Sequence, residues 1–143
     1  MPIRTASAEW KGDLESGEGT FSGESGEVGG EYSFQSRFEE SGGTNPEELV
    51  AAAHASCFSM FLSLVLGEGG NTPDSIKTEA QVHILKDGEG FAIKRIDLST
   101  VGRVAGIDDA SFQQAAQTAK EKCPISLALA AVPEINLDAK LES

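Results

Sequence analysis

The chain has 143 residues, of which 39% are hydrophobic, so it can form one domain, residues 1–143, around a substantial core. It carries 11 Lys and Arg against 23 Asp and Glu, which gives a formal net charge of −12. Such an acidic surface argues against a nucleic-acid partner, which needs a basic face, and against binding to anionic membranes.

No targeting or membrane-spanning segment is expected. The opening, MPIRTASAEWKGD, lacks the apolar stretch of a secretory signal, which favours a cytoplasmic protein. Residues 49–66 are apolar enough to suggest a membrane span, but they include His54 and three serines, and no Lys or Arg flanks them. A buried helix is the better interpretation of this segment.

The chain is predicted to begin with short strands, because the segment before Gly43 is rich in glycines that indicate turns. The last of these strands is predicted at YSFQSRFE, where side chains alternate between two faces. One face carries Tyr32, Phe34, Ser36 and Phe38. Arg37 lies on the opposite, polar face. The turn residues of SGGTNP then end the strand, and a helix is predicted from residue 46 to about residue 66.

The second half of the chain predicts a hairpin, two helices and a strand. A β-hairpin fits SIKTEAQVHILKDGEGFAIKRIDLSTVGRV, with KDGEG as its turn. An amphipathic helix fits DDASFQQAAQTAKEKC, a short apolar helix begun by proline fits PISLALAAV, and a last strand fits EINLDAKLES. The order βββ-α-ββ-αα-β predicts an α+β domain in which sheet and helices are segregated.

The central helix, near residues 46–66, is apolar almost all round. A helix of this kind must be covered on every side, and one sheet can cover only one side. A second copy of the chain is the economical source of another layer, so we predict a homodimer.

The residues before this helix are typical of a helix start. Asn45 is a good N-cap, Pro46 suits the first helical position, and Glu48 then falls where it can complete a capping box with Asn45. That arrangement leaves Glu47 without a structural role. If Thr44 is the cap instead, the two glutamates exchange roles.

The two cysteines each allow two interpretations. Cys57, in the middle of the apolar helix, is either a small buried hydrophobe or a reactive thiol, and a reactive thiol needs a positive or hydrogen-bonding neighbour. Cys123 directly precedes Pro124, so it is either a helix N-cap whose thiolate is favoured, suited to trapping a sulfenic acid as a disulfide, or simply the break between two helices.

The histidines are similarly open to more than one interpretation. His54 lies three residues before Cys57 on the same helical face, which permits a Cys–His pair, but a core histidine with a satisfied ring nitrogen is the favoured interpretation, because no third orienting group is identifiable. A zinc site that also used Cys123 and His83 is not expected, because no CxxC or HxxxH spacing is present.

The motif GTNPEELVAAAHASCFSM, with KCPIS further along, resembles the osmotically inducible protein C (OsmC) branch of the OsmC and organic hydroperoxide resistance (Ohr) peroxidases. AEWKGDLESGEGT and YSFQSRFEESGGTNPEEL resemble the same branch, so the resemblance covers nearly the whole chain. It implies an intertwined homodimer in which two central helices are wrapped by antiparallel sheets from both chains. It also implies thiol peroxidase activity on organic hydroperoxides without metal or other cofactor, and regeneration by a lipoyl-type dithiol.

The resemblance also implies roles for four residues. Cys57 matches the peroxidatic cysteine, Cys123 the resolving cysteine, and Glu47 the carboxylate ten positions before the nucleophile. The Ohr proteins take their active-site arginine from a Gly-Arg turn near the N-terminus, where this chain has Lys11 followed by glycine. In OsmC-type sequences the arginine corresponds to Arg37.

A hydroperoxide with an apolar tail predicts an apolar pocket with one thiolate. Met60 and Phe61, one helical turn from Cys57, can line this pocket together with His54. Arg37 would stabilise the Cys57 thiolate, and a bidentate pair with Glu47 would hold Arg37 in place.

Two other functions fit the same residues. One is a thiol hydrolase that uses Cys57 and His54; the other is a non-catalytic dimer that binds acyl ligands.

If the protein is a peroxidase, the position of Glu47 on the central helix decides which chain of the dimer supplies it to the site. On one unbroken helix, Glu47 and Cys57 would be roughly 15 Å apart along the axis. A site that contains both would therefore take Glu47 from the partner chain.

Overall fold

The computed structural model describes residues 1–142, which contain two three-stranded sheets and four helices. In chain order the elements are β1 (Ala6–Lys11), β2 (Glu18–Gly23), β3 (Gly29–Tyr32), α1 (Phe34–Phe38), α2 (Pro46–Glu68), β4 (Ser75–Asp87), β5 (Gly90–Arg103), α3 (Asp109–Lys122), α4 (Pro124–Ala128) and β6 (Glu134–Glu142). The predicted α+β class is confirmed, and the predicted order is correct apart from the added helix α1. Ser143, predicted to end the last strand, lies outside the described residues. The chain forms two compact units, Met1–Leu49 and the chain from Val50 onward.

The first unit is built on an antiparallel sheet in the order β1-β2-β3. Gly19, on β2, is the cross-strand partner of both Trp10 and Tyr32. The two aromatic rings meet over it with their centroids 5.6 Å apart, and a Cβ at Gly19 would lie 2.6 Å from the Tyr32 ring. The absence of a side chain at Gly19 therefore allows this aromatic contact to close over the sheet.

The predicted strand YSFQSRFE is wrong beyond Tyr32, where the chain instead forms the short helix α1. Ser33 caps this helix through a capping box: the Ser36 amide donates to Ser33 Oγ at 3.1 Å, and the Ser33 amide donates to Ser36 Oγ at 2.8 Å. The two phenylalanine rings of α1 also contact each other in a tilted arrangement, with their centroids 5.0 Å apart. These local hydrogen bonds satisfy amides that a strand would have paired, so they outweigh the alternation of the sequence. Arg37 consequently lies on a helix and not on the polar face of a strand.

The predicted central helix is confirmed as α2. Its N-cap is Asn45, whose Oδ1 accepts a hydrogen bond from the Glu48 amide at 2.8 Å. The other half of the expected capping box is not formed, because the Glu48 carboxylate accepts from the Thr44 hydroxyl at 3.0 Å. Thr44 and Asn45 therefore share the start of this helix.

Within the second unit, α2 is covered on one side only. Every fourth residue is fully or nearly fully buried, namely His54, Phe58, Leu62 and Leu66. The opposite side is exposed, and Met60 and Leu64 are 80% and 51% accessible. Among the described residues α2 is the one helix long and apolar enough to cross a membrane, a property that core helices share. The expectation that this helix is covered on every side is not met within a single chain.

The buried side of α2 belongs to a core formed with the second sheet, whose strand order is β4-β5-β6. The hairpin β4–β5 is antiparallel and closes at Asp87 and Gly90, as its turn sequence predicts. The strand β6 runs parallel to β5, and α3 and α4 connect the two, so the expectation of antiparallel sheets is wrong for this sheet, which is mixed. The buried apolar residues that this sheet contributes are Ile96 and Leu98.

The helix α3 begins at its N-cap Asp108, whose side chain accepts from the Ser111 amide at 2.8 Å. Its buried face, Phe112, Ala115, Ala116 and Ala119, is the face that helical spacing predicts. The chain then turns at Cys123, which is both the C-cap of α3 and the N-cap of α4. This break places the second cysteine in the core of the second unit.

Candidate active site

Cys57 lies in the middle of α2, where its side chain is half-buried. Burial raises the pKa of the Cys57 thiol, and a hydrogen bond from the Ile125 backbone opposes this effect. No basic side chain contributes to the shift within residues 1–142. Burial therefore favours the protonated thiol, and a nearby positive group would favour the reactive thiolate.

The Cys123 thiol lies beside Cys57: Cys57 packs against the core cluster that contains Cys123, and Cys123 adds to the increase in the pKa of Cys57. Both cysteines are free, and Cys123 is completely buried. The prediction that Cys123 caps a helix is confirmed, because its sulfur accepts a hydrogen bond from the Ser126 amide at 3.3 Å. The fold therefore brings together two thiols that lie far apart in the sequence.

Among the described residues, His54 makes no hydrogen bond to Cys57. It is connected to Cys123 through the hydroxyl of Ser126. Its Nε2 lies 2.7 Å from Ser126 Oγ, and the Cys123 thiol donates to the same oxygen at 3.1 Å. His54 is fully buried, and burial lowers the pKa of its ring, which favours the neutral imidazole. Its Nδ1 has no hydrogen-bond partner among residues 1–142.

Sequence reasoning did not find Ser126. The residue occupies the third position of α4, where its amide meets the cap sulfur, so the spacing in CPIS could have suggested a contact with Cys123. Its contact with His54 joins residues 72 positions apart, and no local pattern indicates such a pairing.

The first unit contains the other two predicted catalytic residues as an ion pair. Arg37 Nε donates to Glu47 Oε1 at 2.9 Å, between α1 and the first turn of α2. The interaction is a single hydrogen bond and not the bidentate pair expected from the sequence. Glu47 is buried, and its Oε2 has no partner among residues 1–142, whereas the Arg37 side chain is 40% exposed. The guanidinium group also lies 5.2 Å from the centre of the Phe38 ring.

The three predicted pocket residues, Met60, Phe61 and His54, differ in exposure. Met60 projects from the exposed side of α2, whereas Phe61 is half-buried and packs against the core. His54, the third, lies inside the core, as described above. Within residues 1–142, no group of three or more His, Cys, Asp and Glu side chains is arranged to hold a metal ion.

An α+β fold with two neighbouring free thiols, one on a central helix and one at a helix break, is suited to dithiol–disulfide redox chemistry. Residues 39–138 match the family described as OsmC-like protein. The chain belongs to this family, as its helix motif and the KCPIS step indicate.

Curated relatives support this assignment. The chain is 52% identical to the Peroxiredoxin OsmC of Escherichia coli strain K12 over 137 residues, which cover 95% of this chain and 94% of that protein. It is 37% identical to the Organic hydroperoxide resistance protein OhrB of Bacillus subtilis over 100 residues, which cover 70% of this chain and 69% of that protein. The predicted relationship to the OsmC and Ohr thiol peroxidases is confirmed.

Solved structures confirm the fold. The crystal structure of OhrB from Bacillus subtilis superposes with a TM-score of 0.67 at 26% identity, covering 96% of this chain and 98% of that chain. An OsmC like protein from Mycoplasma pneumoniae reaches a TM-score of 0.75 at 13% identity and covers 99% of both chains. At such low identity the second match supports the fold alone.

Proposed function

We propose that the protein is a cytoplasmic peroxidase that reduces organic hydroperoxides to alcohols, with Cys57 as the peroxidatic thiol and Cys123 as the resolving thiol. The observation that carries this proposal is that two free cysteines are neighbours in one chain, one half-buried and the other fully buried. The names of the relatives, Peroxiredoxin OsmC and OhrB, support the reaction and the substrate class.

The first step is attack by the Cys57 thiolate on the terminal oxygen of the hydroperoxide. An S–O bond forms, the O–O bond breaks, and the alkoxide leaves and takes up a proton to become the alcohol. Sulfur is oxidised to a sulfenic acid by two electrons, and the peroxide is reduced by the same two electrons. The half-buried position of Cys57 suits this step, because the peroxide must reach the sulfur.

The second step joins the two thiols. Cys123 attacks the sulfenic sulfur, an S–S bond forms, and the oxygen leaves as water. A dithiol, for which a lipoyl-type compound is proposed, then reduces the Cys57–Cys123 disulfide and is itself oxidised to a disulfide. The complete burial of Cys123 protects this thiol from direct attack by peroxide.

The positive group that Cys57 needs is proposed to be Arg37, held by Glu47. The ion pair is already assembled in the first unit, and the Nη groups of Arg37 make no hydrogen bond to residues 1–142. A guanidinium near Cys57 would favour the thiolate and would stabilise negative charge as the O–O bond breaks.

The functional protein is proposed to be a homodimer. The exposed side of α2 carries Met60 and Leu64. In a single chain, only 22% of the most apolar 18-residue stretch of this helix is buried. A second copy packed on this side would cover the helix, and it would enclose Met60 and Phe61 as walls for the tail of the hydroperoxide.

Thiol counting tests the proposed function. After about one equivalent of cumene hydroperoxide, the protein is expected to lose both thiols to one disulfide. Cys57→Ser should not react, and Cys123→Ser should consume roughly one equivalent and then stall as the sulfenic acid. Hydrogen peroxide should react more slowly than cumene hydroperoxide, because each buried methylene contributes about 0.8 kcal/mol.

Three results would contradict separate parts of the proposed function. Thiols that survive cumene hydroperoxide would exclude a peroxidase, and normal turnover in Cys123→Ser would remove the resolving role. Equal second-order rates for the two peroxides would exclude an apolar pocket next to Cys57.

A further inference from the structure

The buried side chains of Cys123, Ser126 and His54 are connected by hydrogen bonds. The catalytic cycle proposed above assigns no role to Ser126 or His54. The Cys123 thiol donates to Ser126 Oγ at 3.1 Å, and this oxygen lies 2.7 Å from His54 Nε2. Cys123 and His54 are fully buried and Ser126 is 6% exposed. The first two members come from the start of α4, and His54 comes from α2, one helical turn before Cys57.

The directions of these hydrogen bonds follow from the donors. When the Cys123 S–H donates to Ser126 Oγ, the serine hydroxyl can donate its own proton to His54 Nε2, which is within hydrogen-bond distance. The proton of the neutral imidazole is then on Nδ1, and Nε2 presents its lone pair. The chain therefore runs from the thiol, through the hydroxyl, to a basic nitrogen.

A histidine at this position is costly as a packing residue. Its Nδ1 is buried without a hydrogen-bond partner among residues 1–142, and an unsatisfied buried polar atom destabilises the folded protein. An apolar side chain would fill the same space without that cost. The bond from Nε2 to Ser126 is thus the one favourable polar interaction that His54 makes within residues 1–142.

The resolving step requires that Cys123 lose its proton, and the hydrogen bonds from Cys123 to His54 provide a path for it. Cys123 attacks as a thiolate, yet it is completely buried, so bulk water cannot take its proton. The Ser126 hydroxyl oxygen lies 3.1 Å from the Cys123 sulfur, and it can take up this proton if it passes its own proton to a base behind it. His54 is that base, and its burial keeps it neutral before the step.

We propose that Ser126 and His54 form a proton relay that deprotonates Cys123 as it attacks the Cys57 sulfenic acid. The inference rests on the proposed function. Ser126 is a catalytic residue, because its oxygen touches the reacting Cys123 sulfur, and His54 is a positioning residue that acts through Ser126.

Atoms and electrons balance in the proposed resolving step. The Cys123 proton moves to Ser126 Oγ while the serine proton moves to His54 Nε2, the S–S bond forms, and the S–O bond of Cys57 breaks with loss of hydroxide. The imidazolium then returns its proton to Ser126, whose hydroxyl proton passes to the departing hydroxide, and the hydroxide becomes water. The Cys57 sulfur is reduced and the Cys123 sulfur is oxidised, so no other reactant is needed.

The test uses Ser126→Ala and His54→Gln, with Ser59→Ala as the matched control. Ser59 also lies on α2 and donates its hydroxyl to Thr78 at 2.8 Å, so this variant removes a hydrogen-bonded serine hydroxyl without touching the relay. Each protein receives one equivalent of cumene hydroperoxide. Dimedone trapping then measures the Cys57 sulfenic acid over time, and mass spectrometry measures the disulfide.

In Ser126→Ala and His54→Gln the sulfenic acid should accumulate, and the disulfide should form on the order of a hundredfold more slowly. Gln can keep the hydrogen bond to Ser126 but cannot accept a proton, so a merely structural role for His54 would be rescued by this variant. The wild-type and Ser59→Ala proteins should form the disulfide more slowly in D₂O than in H₂O, and Ser126→Ala should lose this difference.

The outcomes separate the two proposals. If the wild-type protein does not consume cumene hydroperoxide, the proposed function is wrong and the relay falls with it. If the wild-type protein reacts but Ser126→Ala forms the disulfide at the wild-type rate, or His54→Gln does so, the relay is wrong while the peroxidase stands. Slow resolution in both variants, with a normal Ser59→Ala, supports the relay.

Discussion

Cys57 illustrates how one residue depends on groups outside its own neighbourhood. Burial raises its pKa, the neighbouring Cys123 adds to this effect, and the hydrogen bond from the Ile125 amide acts in the opposite direction. The neutral form of a thiol is the protonated one, so a raised pKa leaves less thiolate at pH 7, and reactivity increases as the pH approaches the pKa. A nearby guanidinium reverses this shift.

The variant Arg37→Met tests whether Arg37 supplies that charge. An opposite charge within a few ångströms lowers an acidic pKa by about 1–3 units, so its loss should slow oxidation of Cys57 at pH 7 by roughly tenfold or more. Raising the pH should recover part of the rate. The measurement is the rate of thiol alkylation and of cumene hydroperoxide consumption against pH.

Arg103→Met is the matched control, because Arg103 also pairs with a glutamate, Glu142, but through an exposed contact of 3.8 Å. It should leave the pH profile of Cys57 in place. Identical profiles for Arg37→Met and the wild-type protein would show that another group provides the positive charge.

At the scale of single elements, β5 and α3 are fitted to each other at Gly102. A Cβ at this position would lie 2.5 Å from Phe112 Cε1 and 2.7 Å from Cζ, and Phe112 is fully buried. The ring therefore packs directly on the backbone of the strand. Neither the ring nor the strand can move far, because both belong to the main core.

Gly102→Ala is expected to destabilise the protein by about 1–3 kcal/mol, as overpacked cores generally do. Thermal or urea unfolding measures the change. Gly67→Ala is the control: Gly67 lies in α2 with nothing within 4 Å of its added Cβ, so alanine there should be neutral or slightly stabilising. Equal stability of the two variants would contradict the close packing of Phe112 on the strand.

The elements also show which features a sequence can specify. The helix α2 and the hairpin β4–β5 were predictable because their apolar periodicity and turn residues extend over many positions. The five-residue helix α1 was not, because two serine side chains decide it and the alternation of YSFQSRFE points the other way.

The candidate site was predictable to the same limited extent. The cysteines and the carboxylate could be located because they lie in local motifs around Cys57 and before Pro124. The contact between His54 and Ser126 could not, since it depends on how α2 packs on a helix 72 residues further along the chain. Pairings of that kind are fixed by tertiary structure alone.

At the scale of the whole molecule, the continuity of α2 constrains the site. One unbroken helix runs from Pro46 to Glu68, so Glu47 and Cys57 are ten residues apart on it. At about 1.5 Å per residue this is roughly 15 Å along the axis. In a symmetric dimer with two such helices crossing, each site would take Cys57 from one chain and the Arg37–Glu47 pair from its partner.

Mixed dimers test this arrangement. Glu47→Ala and Cys57→Ser homodimers, each inactive, are unfolded and refolded together. If the site is shared, a mixed dimer combines an intact Cys57 with an intact Glu47 across the interface, and about half of its sites should regain peroxidase activity. Activity is measured with cumene hydroperoxide and a dithiol.

The control pair is Cys57→Ser mixed with Cys123→Ser. The two thiols are neighbours within one chain, so no mixed dimer of this pair contains a complete thiol pair, and turnover should stay absent. A mixture of Glu47→Ala and Cys57→Ser that also stays inactive would place Glu47 in the same chain as the thiol it serves.

The order of elements along the chain has a consequence for biosynthesis. The helix α2 is complete at Glu68, but the last strand of the sheet that covers its buried side ends at Glu142, 74 residues later. At about 5–20 residues per second, the ribosome needs several seconds to make that difference. During this interval a nascent segment as apolar as a membrane span is without its covering sheet, so chaperone binding during translation should matter more for this helix than for any later part of the chain.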